Sequence, residues 1–314
     1  METTRVYRKA MTKTVEFAGL SENETIGNMY WLAVIAGMIP PVASQFVAGE
    51  TEAGALEHAR QLREQGIYSI LNLLGEHYHD PGPAGEDAAA YRQILQDISG
   101  TGLGTCISVK PSQIGLAIDE ETFRDNLGDI VDVAREESVF VWLDMEDRTT
   151  TDATLDAFSH FVTDYPEMGI CVQANLKRTP EDLERLVSLP GKTRLVKGAY
   201  DEPSEVAHTE RPAVNKAYEE NLAYLFRESE GTVAVGSHDP QMIDRGIDLH
   251  EKYGTDFEIQ MLMGVRGGAQ IDLAQEYDVY QYIPYGDKWL SYFSRRVMER
   301  KENLAFALRA IAGV

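Results

Sequence analysis

At 314 residues, 43% hydrophobic and 25% charged, the chain is long enough for one large barrel or two modest domains, and too average in composition for a disordered or multi-span membrane protein. Its 51 acidic against 29 basic residues leave a formal charge of -22, which repels nucleic acid and anionic lipid except where cations cluster, and which suits a salt-rich, halophilic cytoplasm. Only two cysteines, Cys106 and Cys171, are present, too few for a disulfide framework and without a Cys/His metal spacing, so reduced, buried thiols and no metal are expected.

The N-terminus lacks a basic segment followed by an apolar core and a cleavage site, which points to an intracellular, cytoplasmic protein. Residues 29–39 form an apolar run halted by Pro40 and Pro41, well short of the ~20 residues that cross a bilayer, so a core-packing helix is expected there. Residues 1–55 read as a helical segment packed on the domain that follows. From residue 56 to 314, short apolar runs alternate with amphipathic stretches, the rhythm of βα units around a parallel sheet. Strands are expected at 67–74, 104–110, 139–144, 170–173, 194–199, 233–238, 257–262 and 279–284, with helices among the gaps at 88–98, 120–136, 180–187 and 212–227 and an apolar helical tail from Asn303. Eight strands at about 30 residues per unit favour a closed (βα)8 barrel over a doubly wound sheet.

At or just beyond the strand ends stand Glu76, Lys110, Asp144, Gln173, Lys197, His238, Leu262 and Tyr282, all but Leu262 polar or polar-tipped. The C-terminal face of such a barrel carries the site, so this row reads as one. The chain has no GxGxxG after the first strand, no GxxxxGK[ST] and no HExxH, which removes Rossmann, P-loop and zincin readings.

Three constellations stand out. Tyr292, Arg295, Arg296 and Glu299 share one helix face, opposite an apolar stripe of Leu290, Phe293 and Val297. Paired guanidiniums at the barrel mouth suit a carboxylate, although Glu299 and Arg296 could equally satisfy each other on the surface. The segment 194–200 (RLVKGAY) puts cations on an apolar strand, where they need an anion or an electron-rich ring, and small residues at its exit let a ligand approach the backbone. Lys110 and Asp144 end neighbouring strands, as a site or as a plain salt bridge. Leu262, in 258–266 (EIQMLMGVR), offers an apolar wall.

The segments 73–76 (LLGE), 107–116 (ISVKPSQIGL), 194–200, 258–266 and 282–300, in this order and spacing, resemble the signature segments of the proline dehydrogenase family and span the barrel. The resemblance implies a distorted (βα)8 barrel that holds FAD at the C-terminal strand ends and oxidises L-proline to 1-pyrroline-5-carboxylate by hydride transfer from C5 to flavin N5, the first step of proline catabolism. It further implies a membrane quinone as electron acceptor, with at most peripheral membrane contact. Asp144, Arg194 and Lys110 would form the catalytic group. Lys110, Tyr200, Leu262, Tyr282, Tyr292, Arg295, Arg296 and Glu299 would bind the substrate, the two arginines on its carboxylate. Met145, Gln173, Arg194, Val196, Lys197, Gly198, Ala199, Ser237 and His238 would line the cofactor, and Glu76 would pair with Arg295 as a gate. Pro111, Asn175 and Ser237 depart from the family pattern, which has Leu, an aromatic and Thr there; the Asn175 change bears on how firmly the flavin is held. An alternative from the residues alone is a flavin-free, Schiff-base-forming lyase or aldolase using Lys197 or Lys110.

Overall fold

The computed structural model describes residues 45–289, and its barrel unit runs from Ala48 to Asp287. Eight parallel strands close in sequence order: β1 (Tyr68–Leu73), β2 (Thr105–Val109), β3 (Val141–Leu143), β4 (Met168–Gln173), β5 (Lys192–Val196), β6 (Val233–Gly236), β7 (Phe257–Leu262) and β8 (Val279–Tyr285). β1 pairs with β8 over its whole length, which shuts the sheet. Around it stand α1 (Glu52–Arg63), α2 (Pro81–Ile98), α3 (Glu120–Glu137), α4 (Thr151–Asp164), α5 (Thr179–Leu186), α6 (Arg211–Glu228), α7 (Pro240–Tyr253) and α8 (Gly267–Leu273). α1 precedes the first strand and packs on both β1 and β8, so a helix ahead of the barrel fills the slot between its last and first strands. A (βα)8 unit begins with a strand, so this preceding helix is an addition to the standard pattern.

The helices form where sequence chemistry starts and stops them. Asp119 caps α3 by accepting from Thr122 N at 2.7 Å, Glu120 and Glu121 follow in the first turn, and Phe123, Leu127, Ile130, Val131 and Ala134 make one buried face. α7 opens with Asp239 as cap and Pro240 in the first turn, and stops at Gly254 in the left-handed region. α2 begins at Pro81, well ahead of the expected residue 88. Its first turns carry two prolines and two glycines, which read as loop, but Asp80 accepts from Gly82 N at 2.8 Å and a first-turn proline loses no hydrogen bond.

β5 and β6 are shorter than expected, ending at Val196 and Gly236. Gly198 sits at φ +103, where the ladder cannot continue, so Lys197, Gly198, Ala199, Ser237 and His238 lie in loops at the mouth and not in strands. Alternation along the strands sorts the rest. Ile107, Val109, Val141, Leu143, Leu195, Ile259 and Ile283 join the main core under the helices, whereas Ile70, Cys106, Trp142 and Ala234 form a separate small cluster inside the barrel. The indole of Trp142 fits there because its neighbour on β4 is Gly169; a Cβ at 169 would collide with the ring. Both cysteines are unpaired and buried, as expected. The apolar run 29–39, the tail from Asn303 and most of the segment 1–55 lie outside the described residues, among which no helix is long and apolar enough to cross a membrane.

Candidate active site

Asp144, the residue after β3, is the hub of the barrel mouth. Its Oδ1 accepts from Ser108 Oγ at 2.7 Å and from Arg194 Nη2, while its Oδ2 accepts from Tyr282 Oη at 2.7 Å and Lys110 Nζ at 3.2 Å. Three other strands thus converge on one carboxylate. It is 8% exposed in its side chain against 19% for Lys110, so the two cations face it with little water between. Burial would raise the Asp144 pKa, but Lys110 and Arg194, helped by the Ser108 and Tyr282 hydrogen bonds, hold it well below the usual carboxylate range. Burial would likewise strip Lys110 of its proton, yet Asp144, with Tyr200, Tyr282 and Glu146, drives its pKa well above the ordinary lysine value. Tyr282 is pushed far up by burial and then by Asp144, and Tyr200 up to about 12, chiefly by burial. At neutral pH Asp144 is therefore an anion between two cations and neutral phenols, with the Glu146 carboxylate also in range of Lys110.

Arg194 is fixed from three sides. Besides Asp144, its Nη1 donates to Gln260 Oε1 at 3.0 Å, and the guanidinium lies over the Trp142 ring at 4.7 Å and the Tyr282 ring at 5.7 Å. Lys110, Asp144, Arg194 and Tyr282 therefore do come together, with Lys110 and Asp144 joined by the salt bridge that their strand ends suggest.

The remaining expected residues surround this centre. Leu262 ends β7, and its backbone N–H donates to His238 Nε2 at 2.8 Å. An amide only donates, so the neutral ring carries its proton on Nδ1. Gln173 Nε2 donates to the Glu146 carbonyl at 2.8 Å beside buried Met145, and Ser237 Oγ accepts from Asp239 N at 3.1 Å. Lys197 stands apart from Asp144; its Nζ donates to Asp239 Oδ2 at 2.6 Å and Asn215 Oδ1 at 2.7 Å. Neither lysine suits imine formation: Lys197 is tied into that network, and the raised pKa of Lys110 withholds the lone pair. Glu76 groups with His77 and Glu146, their ligand atoms within 4.8 Å of one another, and Glu146 already accepts from Ser112 N at 2.6 Å and Ser112 Oγ at 2.7 Å. Tyr292, Arg295, Arg296 and Glu299, and with them the gate partner of Glu76, lie outside the described residues.

The rim between β4 and β5 carries a buried acceptor that a polar cofactor could satisfy. Asn175, 7% exposed, has no hydrogen-bond partner for its Oδ1 among the described residues. This oxygen faces Gly198, where an added Cβ would collide with it. A buried acceptor without a partner suits a ligand that brings N–H or O–H donors.

Ser108, Trp142, Glu258 and Gln260 were not singled out from the sequence. Period-two alternation could have found them: 108 shares the inward face with 110, 142 with 144, and 258 and 260 with 262.

The proline dehydrogenase family profile matches residues 55–309. Proline dehydrogenase 2 of Bacillus subtilis is 34% identical over 273 residues, which is 86% of this chain and 90% of that protein. Proline dehydrogenase of Deinococcus radiodurans is also 34% identical, over 279 residues, with the same two shares covered. Among solved structures, proline utilization A from Bdellovibrio bacteriovorus inactivated by N-propargylglycine superposes with a TM-score of 0.78 at 22% identity, over 90% of this chain and 36% of that one, a likeness of fold. With this profile and these relatives spanning its barrel, the chain belongs to the proline dehydrogenase family.

Proposed function

We propose that the protein oxidises L-proline to 1-pyrroline-5-carboxylate, with FAD at the C-terminal mouth of the barrel and a membrane quinone as the final acceptor. The observation that carries this reading is the cluster of Lys110, Asp144, Arg194 and Tyr282: one carboxylate holds a guanidinium and an ammonium together at the barrel mouth, where both can meet an anionic guest. FAD, when bound, would supply the two-electron acceptor for the hydride at proline C5.

The chain's own residues do the rest. Lys110 stays protonated and fixed by Asp144, offering charge to a carboxylate or to negative charge growing on the cofactor. Asp144 is too weak a base to collect the amine proton, because its neighbours hold it ionised; its work is to orient both cations. Leu262, Tyr200 and Tyr282 would wall a small ring, and Arg295, Arg296, Tyr292 and Glu299 would complete the clamp, with Glu76 closing on Arg295. Met145, Gln173, Val196, Lys197, Gly198, Ala199, Ser237 and His238 would hold the cofactor, and Asn175 Oδ1 would accept from it. Any membrane contact would be peripheral.

The test is the visible spectrum of the purified protein. A yellow chromophore, released on denaturation and bleached anaerobically by L-proline, is the expected result; N-propargylglycine should abolish that response. A colourless protein that neither takes up FAD nor oxidises proline would overturn the reading.

A further inference from the structure

Glu258 and Gln260 face the inside of the barrel and have no part in the reaction read above. Both are buried, at 2% and 4% exposure. Gln260 Nε2 donates to Glu258 Oε1 at 2.6 Å, and the other carboxylate oxygen, Oε2, accepts from Lys192 Nζ at 2.5 Å. A glutamine amide can usually be turned either way, but here its neighbours leave no choice. A guanidinium only donates and a carboxylate only accepts, so Oε1 must face Arg194 and Nε2 must face Glu258.

The register supplies a reason for such a spacer. Arg194 pairs across the sheet with Ala234, and Ala234 with Glu258, so a second carboxylate lies in the same row as Arg194 with only a small side chain between. A bare Glu258 would compete with Asp144 for the guanidinium and draw it down the barrel, away from the mouth. Gln260 interposes a neutral amide, and Lys192 takes the carboxylate's other oxygen.

We propose that Gln260, oriented by Glu258, is a positioning residue for Arg194, holding the guanidinium on Asp144 at the mouth and off the deeper carboxylate. The proposal rests on the reading that a flavin binds beside Arg194. It assigns Gln260 no contact with substrate.

The experiment compares wild type with Gln260→Met, which keeps the length of the side chain and removes the acceptor, and with Gln260→Glu, which restores it. Apoprotein titrated with FAD by fluorescence quenching gives affinity independently of turnover. For Gln260→Met the expected result is FAD affinity at least about five-fold weaker and kcat at least about ten-fold lower, with KM for proline changing far less, since the substrate clamp is elsewhere. In Gln260→Glu two carboxylates would stand where amide and carboxylate now meet, and they must share a proton. Its kcat should approach wild type at the acid end of the range and fall as pH rises through the second ionisation. The ionisable groups around Glu258 are Lys192, Arg194, Cys106 and Tyr280; burial lifts the Cys106 thiol to about 12 and Tyr280 further, so neither supplies a midpoint near neutrality.

A folded Gln260→Met with wild-type FAD affinity and kcat overturns the proposal. Should that variant fail to fold, Gln260→Glu decides: a new acid-favoured profile supports it, and a wild-type profile overturns it. Wild-type apoprotein that does not bind FAD at all would instead sink the flavin reading on which the proposal stands.

Discussion

At the mouth of the barrel one carboxylate, Asp144, faces two cations, Arg194 and Lys110; at the opposite end one carboxylate, Glu258, faces one cation, Lys192. The deeper pair is closed in by rings: Lys192 Nζ lies 5.0 Å from the centre of Phe140 and 5.8 Å from that of Tyr280, and Tyr280 stacks on Tyr68 at 4.9 Å. That end is electrically balanced and acts as a plug. At the mouth one carboxylate holds two cations, among groups whose pKa values are pushed far from their ordinary places, as a site for an anionic guest requires. Similar side chains thus serve opposite ends: one carboxylate with one cation beside aromatic rings closes the floor, and one carboxylate with two cations prepares chemistry.

The largest effect should come from removing the hub. Asp144→Asn would leave Arg194 and Lys110 facing each other with no anion, a change that typically costs about 3–5 kcal/mol for a buried pair. Urea unfolding should show that loss together with collapse of proline turnover. The pH dependence has a definite sign. Because the folded-state pKa lies below the ordinary 3.8, the native state holds fewer protons than the unfolded chain as acid is added. The stabilisation from Asp144 is complete above about pH 4 and disappears below it. Wild type and variant should converge in stability as pH falls from 4. A gap that stays constant into acid would mean that the carboxylate is not the source of the difference.

Next in size is the plug. Lys192→Met would strand Glu258, but Lys192 is itself 26% exposed in its side chain, so the expected loss is about 2–3 kcal/mol, discounted for water near the ammonium. KM for proline should stay close to wild type. If it rose as far as in Asp144→Asn, the division between sealing end and reacting end would be wrong.

Much of the mouth was legible in the sequence because charge on an apolar strand is anomalous: Arg194 in RLV, Lys110 after ISV and Asp144 after VWL each interrupt a buried run. Their partners were less visible. Ser108 and Gln260 are uncharged residues that gain meaning only once closure of the barrel brings β2, β5 and β7 around one lumen, a long-range event that no local pattern encodes. Strand ends were misjudged for a related reason: Lys197 to Ala199 follow directly on the apolar Leu195 and Val196, but Gly198 takes a backbone conformation that composition does not reveal. α2 was read short because its first turns, PGPAGED, carry loop residues that a good cap makes helical. The arginine pair was the strongest spacing signal in the chain, and it lies beyond the described residues.

A finer comparison sits within β2, where Ser108 serves the mouth and Thr105 begins the strand at the far end. Ser108→Ala removes one of four donors to the Asp144 carboxylate; hydrogen bonds to charged groups contribute about 1.5–3 kcal/mol, so a loss in that range is expected with a modest fall in kcat.

Thr105→Val should run the other way and be the smallest effect of all. Thr105 is 6% exposed, and its Oγ1 has no hydrogen-bond partner among the described residues. Folding strips water from this hydroxyl and returns nothing, whereas a valine of nearly the same shape gives the methyl contacts without that penalty. Valine is also the better strand former. The variant should therefore be as stable as wild type or up to about 1 kcal/mol more so, with wild-type KM and kcat, since no link in the network reaches the mouth from residue 105. Unfolding by urea with an unchanged m-value would measure the difference cleanly. A loss of 1 kcal/mol or more would show that a bound water serves the hydroxyl, and the far end would then be a hydrated seal and not a dry one.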